Sequence, residues 1–218
     1  MIKTVIFDLD GTLIDTEKYY RICWPKALAH FGYEISDEQV LSLRSLGRPF
    51  APEYLKQIVG DDNFDYTKVR EYRKQLMEEC LTQNGIELKP GAIEILNFLK
   101  QKGIERAVAT ANDMERATRY LKRIGLIEYF DKIITADLIE KGKPSPDIYE
   151  YACKQLGHNP DECIAVEDSP NGVISAYKAG CKVIMVPDQT GPDKEIEPYL
   201  YACVDSLDKI AEYLEQDI

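Results

Sequence analysis

Asp8 and Asp10 flank a single leucine in Asp8-Leu9-Asp10-Gly11-Thr12, directly after the apolar run Ile2-Lys3-Thr4-Val5-Ile6-Phe7. Two carboxylates at the end of a buried strand repel each other and lose hydration unless a cation neutralises them. Mg²⁺ suits such a place because it prefers carboxylate and carbonyl oxygens and keeps several waters. A carboxylate can also attack phosphorus and form an acyl phosphate. Taken alone, Asp-Gly reads as an ordinary turn at a strand end. A wider set of residues changes that reading. Glu167-Asp168 ends a second apolar run, Thr110-Ala111-Asn112 ends a third, and Lys143 lies in Gly142-Lys143-Pro144-Ser145-Pro146-Asp147. A nucleophile, an acidic metal bridge, an oxygen-binding hydroxyl and a fixed ammonium are the parts that metal-assisted phosphoryl transfer requires.

These groups cooperate only if the fold brings them to one place. Short β-branched or apolar runs at 106–109, 132–135, 163–166 and 182–186 predict strands, alternating with helical patterns at 92–102, 114–124, 147–156 and 173–178 and a last helix starting near Ser206. Such alternation implies a parallel sheet with helices on both faces, and parallel strands put all their carboxyl ends on one edge. Between the first strand and the rest, residues 17–84 read as helices only. Tyr20, Trp24, Ala27, Leu28 and Phe31 recur at helical spacing up to Gly32, Ser36 with Gln39 forms a capping-box start, 52–58 is a short helix, and Val69, Tyr72, Leu76, Met77 and Cys80 mark a longer one. The expected architecture is α/β: a Rossmann-like parallel core of residues 1–15 and 88–218, with an inserted all-helical cap of residues 16–87 over the strand ends.

Composition narrows the function. The 218 residues carry 27 Lys plus Arg against 38 Asp plus Glu, a net charge of −11, and 44% are apolar. An acidic chain has no general attraction for nucleic acid or an anionic membrane, and to bind phosphate it must concentrate positive charge locally. No apolar run reaches the roughly 18 residues of a membrane span, and the first residues lack the pattern of a signal peptide, so a cytoplasmic protein is expected; a monomer is expected separately. The cysteines Cys23, Cys80, Cys153, Cys163, Cys181 and Cys203 form no CxxC pair. They read as reduced, mostly buried thiols, without zinc or thiol catalysis. His30 and His158 sit near predicted helix ends and read as surface residues.

Together the four motifs resemble the haloacid dehalogenase superfamily, in the β-phosphoglucomutase and phosphoglycolate phosphatase-like group, over essentially the full length. By motif match the resemblance implies Asp8 as nucleophile and Mg²⁺ ligand, and Asp10 as general acid/base that binds the metal through its backbone carbonyl. Thr110, Ala111 and Asn112 would hold the phosphoryl group, and Lys143 would screen charge between Asp8 and phosphate. Glu167 and Asp168 would complete the metal site, with Ser169 and Asn171 supporting. Dehalogenation is disfavoured, because superfamily dehalogenases lack an acid at the position of Asp10. No cap lysine can be matched to the imine former of the phosphonatases. Arg48, in Leu46-Gly47-Arg48-Pro49, matches a cap position that often meets substrate; Glu17, Tyr20 and Arg44 are further candidates, while Tyr20 and Trp24 also fit a helix core. The expected activity is hydrolysis of a small phosphorylated metabolite: a sugar, polyol or glycolate phosphate. A sugar phosphomutase is the alternative within the fold, and a non-catalytic phosphometabolite-binding protein the alternative of another class. Thr12 after Gly11, Tyr20 where the mutases carry a histidine, and Asp113 where they carry a lysine all favour the phosphatase.

Overall fold

The computed structural model describes residues 1–217. Its elements run β1 (Thr4–Phe7), α1 (Glu17–His30), α2 (Asp37–Ser42), α3 (Phe50–Val59), α4 (Tyr66–Asn84), α5 (Ala92–Lys102), β2 (Glu105–Thr110), α6 (Met114–Arg123), β3 (Lys132–Thr135), α7 (Asp147–Leu156), β4 (Cys163–Glu167), α8 (Pro170–Lys178), β5 (Lys182–Met185), β6 (Ala202–Cys203) and α9 (Ile210–Asp217). The strands form one 6-stranded sheet in the order β3-β2-β1-β4-β5-β6, and every pairing is parallel. The expected α/β class and parallel core are therefore present.

Side-chain alternation along each strand divides the core. Val5, Phe7, Val108, Ile164, Val166 and Ile184 face one way, against α5, α6 and α9. Ile6, Ala107, Ala109, Cys163, Ala165 and Val183 face the other, against α7 and α8. Buried on both faces, these strands read as continuous apolar runs, as fully covered parallel strands do. Phe7 lies opposite Val108 on one side and Val166 on the other, and the Asp8 amide donates to the Val166 carbonyl at 2.9 Å. The acidic residue after β1 thus emerges at the level where β2 and β4 also end.

Between β1 and β2, α1–α4 pack around a core of their own, which includes Trp24, Ala27, Leu28, Val40, Leu43, Leu55 and Val69. The Ser36–Gln39 capping box is present at the start of α2. The chain enters and leaves this insert through two adjacent crossings. Asp15 N donates to Glu87 O, and Lys89 N to Leu13 O, each at 2.9 Å, and Ile14 bridges Leu88 antiparallel. Lys18 clamps both crossings, 2.6 Å from Asp15 Oδ2 and 2.6 Å from Glu87 Oε2.

Some expected boundaries shift. Helix α8 starts at Pro170 rather than near Val173, because Ser169 caps it and proline is tolerated in the first turn. α3 starts at Phe50 rather than Pro52. β6 escaped the sequence reading: two residues are too short for any period. Cys23, Cys153, Cys163 and Cys181 are buried, whereas Cys80 is half-buried and Cys203 exposed. His30 is exposed, and His158 is half-buried and paired with Glu105. Among the described residues no helix is long and apolar enough to cross a membrane.

Candidate active site

Three strand ends and one loop converge. Lys143 is the pivot. Its Nζ donates to Asp8 Oδ1 at 2.5 Å, to Glu167 Oε1 at 2.6 Å and to the Ala109 carbonyl at 3.0 Å, which uses every N–H an ammonium has. The Tyr149 hydroxyl, from α7, donates to the same Glu167 oxygen at 2.6 Å, and the ring lies 5.3 Å from the ammonium. Asp8, Lys143, Glu167 and Asp168 are all essentially buried.

This charge set is incomplete. Asp8 Oδ2, Glu167 Oε2 and Asp168 Oδ2 are buried and accept no hydrogen bond. Burial pushes the Asp8 carboxyl well above its usual range; Lys143 opposes the shift, and Glu167 and Asp168 add to it. Burial and then the Glu167 charge push Asp168 up to about 8. A buried charge left without a partner destabilises a fold by about 3–5 kcal/mol, several times what a surface ion pair returns. Lys143, and Arg44 3.9 Å from Asp168, leave one oxygen of each carboxylate without a hydrogen bond. One ligand oxygen each from Asp8, Glu167 and Asp168 lie within 4.8 Å of one another, so this donor set fits a hard divalent cation.

Two glycines make room for these carboxylates. A Cβ at Gly172 would collide with the Glu167 carboxylate. At Gly11, where φ is +84°, it would fall 2.5 Å from Asp168 Oδ2. Gly11 is thus required by both its left-handed backbone and its neighbours.

Asp10 is held differently. Its Oδ1 accepts from the Thr16 hydroxyl at 2.5 Å and its Oδ2 from Asn112 Nδ2 at 2.5 Å. With both oxygens already bonded, the side chain stands apart from the Asp8–Glu167–Asp168 group. Asn112 Nδ2 also reaches the Thr110 hydroxyl at 3.2 Å, so the end of β2 is tied to the second aspartate.

The insert closes over this edge. Gly47 N donates to Lys143 O at 2.8 Å, and Gly142 N to Arg48 O at 2.7 Å. A Cβ at Gly47 would sit 2.5 Å from the Gly142 Cα, so the two loops meet backbone to backbone. Asn171 Nδ2 donates to the carbonyls of Ser42 at 3.1 Å and Arg44 at 2.9 Å. Arg44 is buried, with Nη1 3.9 Å from Asp168 Oδ2. Glu17 is buried too, and burial, then Asp168 and Asp10, raise its carboxyl well above the usual range. The Tyr20 hydroxyl is 3.5 Å from Asn112 Oδ1.

The residues singled out for substrate, Arg48, Ala111, Asn112, Glu17 and Tyr20, line one pocket with Asp8, Asp10 and Thr110. Lys143, Glu167 and Asp168 are not among its lining residues. Arg48 is exposed. Tyr20 and Trp24, which also fitted a helix core, line the same pocket. Sequence reasoning missed Thr16, Tyr149, Arg73 and Arg116. Thr16 carried a signal as the residue before the first helix, where hydroxyls cap; the other three resemble ordinary helix residues. Arg21, Arg44, Arg48, Arg70, Arg73 and Arg116 all line the pocket, the local concentration of positive charge that an acidic phosphate-binding chain needs.

A family model described as haloacid dehalogenase-like hydrolase matches residues 5–186. The chain is 33% identical over 202 residues to hexitol phosphatase A of Escherichia coli (strain K12), covering 92% of this chain and 91% of that protein. It is 32% identical over 186 residues to a phosphorylated carbohydrates phosphatase of Thermotoga maritima, covering 84% of this chain and 83% of that protein. Among solved structures, a β-phosphoglucomutase from Clostridium difficile superposes with a TM-score of 0.81 at 27% identity, covering 99% of this chain and 96% of that chain.

Proposed function

This chain belongs to the haloacid dehalogenase-like hydrolase family, and from that premise we propose that it is a Mg²⁺-dependent phosphatase of a small phosphorylated sugar or polyol, working through a phosphoryl group carried on Asp8. The observation that carries this reading is the Asp8 carboxylate: one oxygen fixed by Lys143, the other buried and unbonded, beside Glu167 and Asp168. Relatives named as phosphatases of phosphorylated carbohydrates and of hexitols support the substrate class.

The chemistry follows from the residues present. Lys143 holds Asp8 Oδ1, which leaves Oδ2 to attack phosphorus as the ester P–O bond breaks. Asp10, steadied by Thr16 and Asn112, gives its proton to the leaving alkoxide. It then takes a proton from the water that attacks the phosphorus and breaks the Asp8 O–P bond, which returns both carboxyl groups to their starting states. The Thr110 hydroxyl and the amides after it hold the phosphoryl oxygens. A Mg²⁺ held by Asp8, Asp168 and the Asp10 carbonyl, with Glu167 direct or through water, would neutralise charge between carboxylates and phosphate.

Hydrolysis rather than isomerisation is favoured by the groups around Asp10. Burial, as the largest cause, raises the Tyr20 hydroxyl above its usual range; it stays neutral and cannot relay a proton as an imidazole would. Asp113 caps α6 by accepting from Arg116 N at 2.9 Å and repels a second phosphate where a lysine would attract one. With β-glucose 1-phosphate, a trace of the 1,6-bisphosphate and Mg²⁺, the expected product is free phosphate. Rapid formation of glucose 6-phosphate with negligible phosphate release would make the chain a mutase. No turnover of any phosphate ester in a broad panel would favour a binding protein.

The reading includes a cytoplasmic monomer in which residues 16–87 act as a cap on a core of 1–15 and 88–218, hinged at the paired crossings. Closure would exclude water from the pocket. Solution scattering should show a smaller radius of gyration with Mg²⁺ and a phosphate mimic than without them, and an unchanged curve at saturation counts against hinging.

A further inference from the structure

Two thiols meet across the helical insert. Cys23, on α1, is fully buried, and Cys80, near the end of α4, is half-buried. Their sulfurs are 3.8 Å apart although 57 residues separate them in the chain. The helices that carry them are packed together: Cys23 shares a core cluster with Met77 and Leu81 of α4, and Cys80 lies against the same cluster. A second link joins the same two helices. Arg73, on α4, rests 4.9 Å from the Tyr20 ring centroid and 4.8 Å from that of Trp24, both on α1. Cys23 stands between Tyr20 and Trp24 in the sequence, and Cys80 follows Arg73 by about two helical turns. Tyr20, Trp24 and Arg73 all line the pocket.

Spacing alone does not set this pair apart. Cys153 and Cys181 also lie 3.8 Å from each other, but both are buried, and no reagent in solution reaches either. The Cys23–Cys80 pair has one reachable sulfur and one sheltered partner, the division of labour that thiol–disulfide exchange needs. Burial, and after it the neighbouring Cys80, pushes the Cys23 thiol up to about 12, so Cys23 does not open the reaction. It has only to complete it, on a sulfur it already touches. A disulfide is about 2.05 Å long. Two sulfurs in van der Waals contact between packed helices reach that length by turning side chains, with no element of the fold displaced.

We propose that Cys23 and Cys80 are a redox-active dithiol, which a low-molecular-weight disulfide converts to a bond between α1 and α4. The Cys80 thiolate attacks one sulfur of the oxidant, whose S–S bond breaks and releases a thiolate. The product is a mixed disulfide on Cys80. Cys23 then gives up its proton and attacks the Cys80 sulfur; the mixed S–S bond breaks, and the second thiolate leaves and is protonated. Two protein thiols are oxidised and one disulfide is reduced to two thiols. The closed bond fixes α1 against α4, and with them the pocket wall on which Arg73 rests. The proposal goes beyond the phosphatase reading and stands independently of it.

The test treats the fully reduced, folded chain with excess oxidised glutathione in EDTA, followed by alkylation under denaturing conditions. Of the six cysteines, two should be lost to alkylation, with no glutathione retained, and non-reducing peptide mapping should join Cys23 to Cys80. The thermal unfolding midpoint should rise by at least about 5 °C, and dithiothreitol should reverse both changes. Cys80→Ser, at the half-buried position, keeps the fold and should show neither the linked peptide nor the rise. Cys23→Ala should stop at one glutathione on Cys80. A wild type that stays fully reduced, that stops at a glutathione adduct on Cys80, or that links other cysteines overturns the proposal. So does a linked protein whose midpoint falls. The wild-type mapping decides by itself should either variant fail to fold.

Discussion

Asp8→Asn is expected to lower kcat by about 10⁴-fold or more, roughly 5 kcal/mol of barrier, while the protein folds at least as well as the wild type. The amide keeps the shape of the carboxyl and an oxygen that can accept from Lys143. It removes the attacking oxygen and the negative charge that a metal would share with Glu167 and Asp168. The stability half of the prediction follows from the same environment. Burial and the neighbouring carboxylates raise the Asp8 pKa, so the ionised form is disfavoured by the fold. A raised carboxyl pKa means that stability is lost as pH climbs above the unfolded value, and a neutral amide avoids that loss. Thermal unfolding of the metal-free variant at pH 7 should therefore show an unchanged or higher midpoint. Turnover within about tenfold of wild type, roughly 1.4 kcal/mol, would rule out covalent chemistry at this residue.

Removal of divalent metal should be nearly as damaging. In excess EDTA activity is expected to fall at least about 10³-fold, roughly 4 kcal/mol, and to return on adding Mg²⁺ in excess of the chelator. Ca²⁺ should restore little. It takes more oxygen ligands at longer distances, so both Asp8 oxygens can be drawn to it and none is left for attack. A second readout needs no turnover: Mg²⁺ should raise the unfolding midpoint of the wild type, and much less that of Asp168→Asn, which removes one of the grouped carboxylates. Full activity in EDTA would end the metal assignment.

The parts of the site that lie on strand ends were legible in the sequence because a buried parallel strand leaves an unmistakable apolar run, and polar residues at its end have one destination. Asp8, Thr110 and Glu167 could be placed together on that ground. Lys143 lies on a loop, and its residue type beside the strand-end carboxylates gave it a role as the fixed ammonium; the burial that makes it a bonded pivot came from Tyr149 and the Gly47–Gly142 contact, neither of which has a sequence signature. The arginines illustrate the limit more sharply. Arg70 and Arg73 sit three apart on α4, and Arg116 lies on another helix, spacings that describe any solvated helix face. Arg73 is buried only because α4 packs against α1 at Tyr20 and Trp24 while α6 approaches from the other side, a tertiary fact that no local pattern encodes. Arg48 shows the converse. The motif picked it out, yet its side chain remains exposed while its backbone carbonyl makes the contact with Gly142.

The two crossings beside Lys18 have a consequence for how such a molecule can change over generations. Leu13 pairs with Lys89 and Asp15 with Glu87, so the helical segment begins and ends at nearly the same point in space. A stretch of chain whose ends already meet can be lengthened, shortened or replaced without asking the sheet to move. Bond-breaking machinery and molecular taste can then be inherited separately: the strand ends keep one reaction while the segment grafted at this gate is rewritten for new compounds.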